Sequence, residues 1–173
     1  MTRKVIGIAG YKESGKTTLV ERLVREFTAR GLAVATVKHA HHAFDIDHKG
    51  RDSWRHRVAG AHEVAIVSDR MWAIIHPLHS EPEPNLDEVL AMMAPSDLVV
   101  VEGYKRETYP KIEVRGPPSG HPDLAPDDPT VIAIAASGEI AAENVPVFSR
   151  DDVSAIADFI TVELGLAAPV SQS

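Results

Sequence analysis

The sequence predicts an α/β protein built on a mostly parallel sheet. Three observations carry that reading. Short apolar runs alternate with helical patterns along the chain. The first run ends in a glycine-rich turn that opens onto an amphipathic helix. Two runs, Val5–Ala9 and Leu98–Val101, have no polar break, as strands buried on both faces require.

Taken in order, Val5–Ala9 is the first strand. Leu19, Val20, Leu23, Val24 and Phe27 then fall on one helical face. Gly31 stops that helix at its C′ position. Leu32–Val37 is the second strand, and the polar, His-rich stretch Lys38–Gly50 is a loop. Asp52 or Ser53 can cap a short helix ending near Gly60. Glu63–Ser68 and Met71–His76 read as a hairpin turning at Asp69-Arg70. Three prolines make Pro77–Asn85 a loop, and Asn85 can cap a helix over Leu86–Met93. Asp97–Gly103 is a buried strand. Arg115–Pro129, with five prolines and two glycines, reads as an irregular excursion or a mobile lid. Thr130–Ala135 and Val145–Phe148 are the last strands expected. Val153, Ile156, Ala157, Ile160 and Leu164 make a closing helix, and residues 166–173 a frayed tail. The whole of 1–173 reads as a single nucleotide-binding domain.

Composition narrows the class by exclusion. A chain of 173 residues can bury about 70% of its unfolded surface and so needs no staple. The net charge of −7 lacks the basic excess of a protein that lives on nucleic acid. With no cysteine, disulfides, thiolate zinc sites and thiol nucleophiles are excluded, and a cytoplasmic setting is compatible. No run approaches the ~20 apolar residues of a membrane span. The basic start is followed by a short, glycine-broken apolar stretch rather than a signal peptide.

The chemistry lies in Gly10-Tyr11-Lys12-Glu13-Ser14-Gly15-Lys16-Thr17, which fits G-x-x-x-x-G-K-[ST] without a gap. A phosphate chain needs several converging donors, and successive backbone N–H groups in a tight loop supply them. The following helix N-terminus adds further N–H groups and a favourable dipole. Lys16 would bridge the β- and γ-phosphates, and the Thr17 hydroxyl would ligate Mg²⁺. With Gly at ~7% of residues, a random chain this long contains the pattern well under ~5% of the time. The expected architecture is therefore the three-layer P-loop NTPase fold, a mostly parallel sheet with a hairpin added.

Such a site also needs an acidic residue at the end of a buried strand. Glu102 follows four apolar residues and would emerge at the strand's C-terminal end. Asp97 opens the same strand about 15 Å away and reads as a capping or surface residue. In the second loop, Asp45 and Asp47 are candidates for a Mg²⁺ contact or for orienting an attacking water. His39, His41, His42 and His48 invite a zinc or nickel reading, although their spacing is not diagnostic. Lys38, Lys49 and Arg51 read as phosphate-facing, and Arg55, His56 and Arg57 as a solvated helix face. There is no [NT]-K-x-D guanine signature. Ser137-Gly138-Glu139 or the loop Ser149–Asp152 could line the base, with Asp151 either reading it or capping the last helix. Motif chemistry leaves GTP and ATP open.

Read together, four segments resemble the molybdopterin-guanine dinucleotide biosynthesis protein B (MobB) family. They are Gly10–Leu19; Val37-Lys38-His39 with Phe44-Asp45-Ile46-Asp47; Gly50-Arg51-Asp52-Ser53 with Ala59-Gly60-Ala61; and Val101-Glu102-Gly103-Tyr104-Lys105 with Pro110-Lys111-Ile112-Glu113. The resemblance covers the first two-thirds of the chain. It implies a GTP- and Mg²⁺-binding adaptor, slow as a hydrolase, that assists a nucleotidyltransferase attaching GMP to molybdopterin. It also implies a homodimer, and nucleotide-site roles for Lys16, Thr17, Asp45, Glu102 and Lys105; the expected nucleotide-binding set is Gly10–Thr18 with Lys105. Ser137 departs from the pattern where a carboxylate is expected, and Tyr11-Lys12 differ from relatives with lysine second in the loop. Two other readings are a nickel or zinc metallochaperone-type GTPase, weakened by the missing cysteines, and an ATP-dependent small-molecule kinase or ligase.

Overall fold

In the computed structural model, residues 3–40, 47–105, 107–116, 122–138, 140 and 144–166 are described. The chain forms two compact units: 1–39 with 93–173, and 40–92.

The first unit holds a six-stranded sheet. Its strands are β1 (Lys4–Ala9), β2 (Val34–Lys38), β5 (Leu98–Glu102), β6 (Lys111–Arg115), β7 (Val131–Ala136) and β8 (Val147–Ser149). The order is β2-β5-β1-β6-β7-β8, and every pairing is parallel. Helix α1 (Lys16–Ala29) follows β1, and α4 (Val153–Leu164) closes the chain. Ile6, Ile8, Leu98, Val100, Ile112 and Val114 alternate along their strands and pack against Leu19, Leu23 and Phe27 of α1 and Ile156, Ala157 and Ile160 of α4. The intervening positions Val5, Ala9, Val99, Val101 and Ile134 are buried as well. Burial on both faces explains the unbroken apolar runs.

Sequence punctuation sets the helix ends. Gly31 adopts φ 85°, and the Gly31 and Leu32 amides donate to the Thr28 and Phe27 carbonyls at 2.9 and 3.1 Å. That is a Schellman ending. Asp152, rather than Asp151, caps α4, its carboxylate accepting from the Ala155 amide at 3.1 Å.

One strand departs from the sequence reading. β6 lies between β1 and β7, in a segment for which no strand is expected from hydrophobic pattern. Its residues Lys111 and Glu113 are each only 2% exposed, and these two buried charges, with Arg115 after them, hide the strand from any apolar-run criterion. Both charges are paired. The Glu113 carboxylate accepts from the Leu124 amide (2.7 Å), the Ala125 amide (3.0 Å) and Arg115 (3.0 Å). Lys111 donates to Glu107 O, Thr130 Oγ1 and Asp128 Oδ2. Arg115 also pairs with Asp123 at 3.2 Å. The described part of the excursion, 122–129, is thereby tied to β6 by buried charges; residues 117–121 lie outside the described residues.

The second unit contains α2 (Asp52–Val58), the antiparallel hairpin β3 (Val64–Val67) and β4 (Trp72–Ile75), and α3 (Leu86–Met92). The hairpin is where the sequence expects it, closing where the Ser68 amide donates to Met71 O at 2.9 Å. Asn85 caps α3 reciprocally with Glu88: each backbone amide donates to the other side chain, at 2.8 and 3.0 Å. α2 differs slightly, with Arg51 at the N-cap and Asp52 already helical. Val67, Met71 and Trp72 remain at least 70% exposed. Among the described residues, no helix is long and apolar enough to cross a membrane.

Candidate functional site

The parallel registers put three C-terminal strand ends side by side. Glu102 of β5 is level with Ile8 of β1 and with Lys38 of β2. The loop 10–15 therefore leaves β1 on the edge where open α/β sheets bind ligands.

Glycine is required at both ends of this loop. Gly10 has φ 148°, and a Cβ there would stand 2.5 Å from Val114 O and 2.8 Å from Ser14 Oγ. Gly15 has φ 97° and occupies the N-cap of α1, where no side chain caps the helix. The first-turn amides of α1 thus point where an anion would sit. Glu13, at φ 65°, adds a left-handed residue between them. The Ser14 amide closes a turn onto Tyr11 O at 3.2 Å.

Lys16 folds back along the loop, its Nζ donating to Tyr11 O at 2.5 Å. Burial lowers its pKa; Glu102 opposes that effect, while Lys105 and Lys38 reinforce it. A polyphosphate would supply the negative charge that this ammonium lacks. Thr17 Oγ1 donates to Glu102 Oε1 at 2.8 Å, and Lys38 Nζ lies 3.4 Å from the same oxygen. A hydroxyl and a nearly buried carboxylate are hard oxygen donors of the kind Mg²⁺ takes beside phosphate. The two residues expected from sequence to hold Mg²⁺, Thr17 and Glu102, are thus in direct contact.

Lys105 Nζ stands 4.0 Å above the Tyr11 ring, which brings the two ends of the expected nucleotide set together. The turn carrying Lys105 is tight for a visible reason. Gly103 has φ 97°, and a Cβ there would approach His39 Cβ to 2.9 Å. The His39 amide donates to Glu102 O at 2.9 Å, and its ring packs on Tyr104 at 4.6 Å. Lys12, Glu13 and Thr18 are exposed on the loop and the first turn of α1. Asp97 is far from this edge, accepting from the Ala33 amide at 2.7 Å at the opposite end of β5.

Arg150 lies in the loop Ser149–Asp152 offered from sequence for the base, where sequence reading assigns it no role of its own. Its Nη1 donates to Ser14 O at 2.7 Å, and a Cβ on Gly15 would run into its guanidinium. A lone arginine more than a hundred residues downstream of the loop carries no sequence signal. Asp151, the carboxylate singled out for the base, pairs with Arg22 at 2.7 Å, which lowers its pKa.

Asp45 lies outside the described residues, as do His41, His42, Phe44 and Ile46. Asp47 belongs to the second unit and is buried there. Its Oδ1 accepts from Ser53 Oγ at 2.8 Å, and Arg57 Nε lies 3.8 Å from Oδ2. Arg57 therefore has a partner rather than only a solvated face.

The model for the family "Molybdopterin guanine dinucleotide synthesis protein B" matches residues 5–137, which include the whole loop, Glu102 and β6. The chain belongs to the MobB family. It is 37% identical over 159 residues to the molybdopterin-guanine dinucleotide biosynthesis adapter protein of Haemophilus influenzae, covering 90% of this chain and 86% of that one. The corresponding Escherichia coli protein is 34% identical, with 90% of each chain covered. Among solved structures, a MobB protein homolog from Bacillus stearothermophilus superposes with a TM-score of 0.70 at 30% identity, over 94% of this chain and 99% of that one. The family match runs past the four resembling segments and takes in β7.

Proposed function

We propose that this MobB-family protein binds GTP with Mg²⁺ on the loop 10–17 and acts as an adaptor in making the guanine dinucleotide form of the molybdenum cofactor. Its partner would be the nucleotidyltransferase that joins GMP to molybdopterin, with molybdopterin itself a further candidate ligand. The observation that carries the site is the Thr17–Glu102 hydrogen bond at the mouth of the loop. It pairs the two groups a Mg–nucleotide complex needs, in a chain whose relatives are named as adapter proteins in this synthesis.

In this reading Gly10, Tyr11, Lys12, Glu13, Ser14 and Gly15 wrap the phosphates with backbone N–H groups. Lys16 leaves Tyr11 O for the β- and γ-phosphates, and Lys105 adds a second cation above Tyr11. Thr17 and Glu102 hold Mg²⁺, with Asp45 a further metal contact. Mg²⁺, when bound, neutralises phosphate charge. Hydrolysis is at most slow, with Asp45 or Asp47 steering the water. The protein works in the cytoplasm as a homodimer, and the exposed Ile66, Val67, Met71, Trp72 and Ile74 of the hairpin region support self-association.

The test is a binding titration of GTP against ATP, with and without Mg²⁺, followed by capture of the nucleotidyltransferase on the GTP-loaded protein. Tight GTP binding that Lys16→Ala abolishes is expected. Unchanged GTP affinity in that variant would sink the site, and equal ATP affinity would sink the guanine assignment.

A further inference from the structure

A second constellation of ligating groups lies in the 40–92 unit, away from the loop sequence that drew attention to histidine. His62 precedes β3, His76 follows β4, and the register pairing Val64 with Ile75 brings these flanks together. The chain then turns at Leu78–Glu81, where the Glu81 amide donates to Leu78 O at 2.5 Å, and Glu81 comes back to the same place. One donor atom from each of His62, His76 and Glu81 falls within 4.8 Å of the others. We propose that His62, His76 and Glu81 form a binding site for a divalent transition-metal ion of the zinc class, with Glu63 orienting His76.

Three features favour a metal over a plain ion pair. First, His76 Nε2 stands 3.0 Å from Glu81 Oε2. Tetrahedral zinc, with bonds of about 2.0–2.2 Å, separates neighbouring ligand atoms by roughly 3.3 Å, so these two need almost no movement. Second, the other ring nitrogen, His76 Nδ1, lies 3.2 Å from Glu63 Oε1. A carboxylate on the far nitrogen is the usual companion of a metal-bound histidine, because it fixes the tautomer and raises ligand basicity. Third, the His62 ring meets the His76 ring edge-on, at 5.0 Å between centroids and 83° between planes. That sets the two imidazoles side by side, each with a donor atom within 4.8 Å of the Glu81 carboxylate.

The donor set selects the ion. Two imidazoles and one carboxylate suit zinc, cobalt or nickel, whereas magnesium and calcium prefer all-oxygen shells. Three protein ligands leave a fourth position for water or for a group brought by a partner. All three ligands are exposed, so such an ion would be reachable from solvent. The inference does not rest on the nucleotide reading, since none of these residues belongs to the loop 10–17 or to β5.

The test titrates the metal-free full-length protein with Co²⁺, followed by visible ligand-field absorption, and with Zn²⁺ by calorimetry. One equivalent is expected to bind, giving the intense absorption of a tetrahedral cobalt site. His76→Ala and Glu81→Gln should each abolish that signal and leave GTP titration unchanged. Glu63→Gln should keep the stoichiometry and weaken affinity about 10–100-fold. His41→Ala with His42→Ala should bind as wild type. No stoichiometric binding by the wild-type chain, or binding retained in both His76→Ala and Glu81→Gln, would overturn the site. Loss of binding in the His41/His42 variant would place the ion in the other loop instead.

Discussion

Glu102 takes part in two contacts that a bound nucleotide would rearrange: it accepts from Thr17 and lies near Lys38. Removing its charge while keeping its shape separates metal from phosphate. Glu102→Gln should weaken GTP binding in Mg²⁺ by about tenfold or more, the scale of ~1.4 kcal/mol, and change Mg²⁺-free binding much less. Titrations in Mg²⁺ and in a chelator check this, and equal losses in both would argue against a metal role. Glu102 was legible in the sequence because four apolar residues lead straight to it. Arg150 was not, because its use depends on where β8 ends relative to β1. Asp151 beside it illustrates the same limit, since residue type alone does not reveal that Arg22 already holds it.

Strand β6 belongs to the scale of elements, and it is where pattern reading fails for a physical cause. Apolar periodicity detects strands that bury hydrocarbon, whereas β6 buries Lys111 and Glu113 and satisfies them from the 122–130 segment. Other elements of the same unit were read correctly because their burial is apolar: Leu98–Val101 on β5, and Leu19, Leu23 and Phe27 on α1. The tie between β6 and its loop also sets an acid response. Burial by itself would raise the Asp128 pKa, but hydrogen bonds from the Thr130 side chain and backbone and from Lys111 outweigh it, and the value falls below the usual one. A depressed carboxylate pKa stabilises the fold above the unfolded value, near ~3.9, and loses that contribution as pH drops through the folded value. Asp128→Asn should therefore destabilise the protein at pH 7 and converge on wild type in strong acid. Urea unfolding at the two pH values reads the difference, and a penalty that persists undiminished in acid would refute the ionic account.

At the scale of the molecule, a net charge of −7 coexists with cations concentrated around one loop: Lys16, Lys38, Lys105 and Arg150. Net charge therefore says little about the local potential. A ligand that binds only the folded chain stabilises it by mass action, about 2.7 kcal/mol at a hundredfold excess over Kd. For a chain of this size that corresponds to a rise in Tm of roughly 5–11 °C. GTP with Mg²⁺ should produce it, and Lys16→Ala should show none; thermal unfolding with each nucleotide decides. A rise with ATP equal to that with GTP would favour a less selective site.

The floor beneath the loop 10–15 comes from elsewhere in the chain. A Cβ on Gly10 would stand 2.5 Å from Val114 O, and one on Gly116 2.8 Å from Ser14 Cα. The same strand, one residue earlier, grips the Leu124 and Ala125 amides through Glu113. Loop and tether are thus two sides of one stiff board, and loading one side should quiet the other. Amide hydrogen exchange at Leu124 and Ala125 should slow when GTP occupies the loop, although neither residue belongs to the proposed nucleotide set.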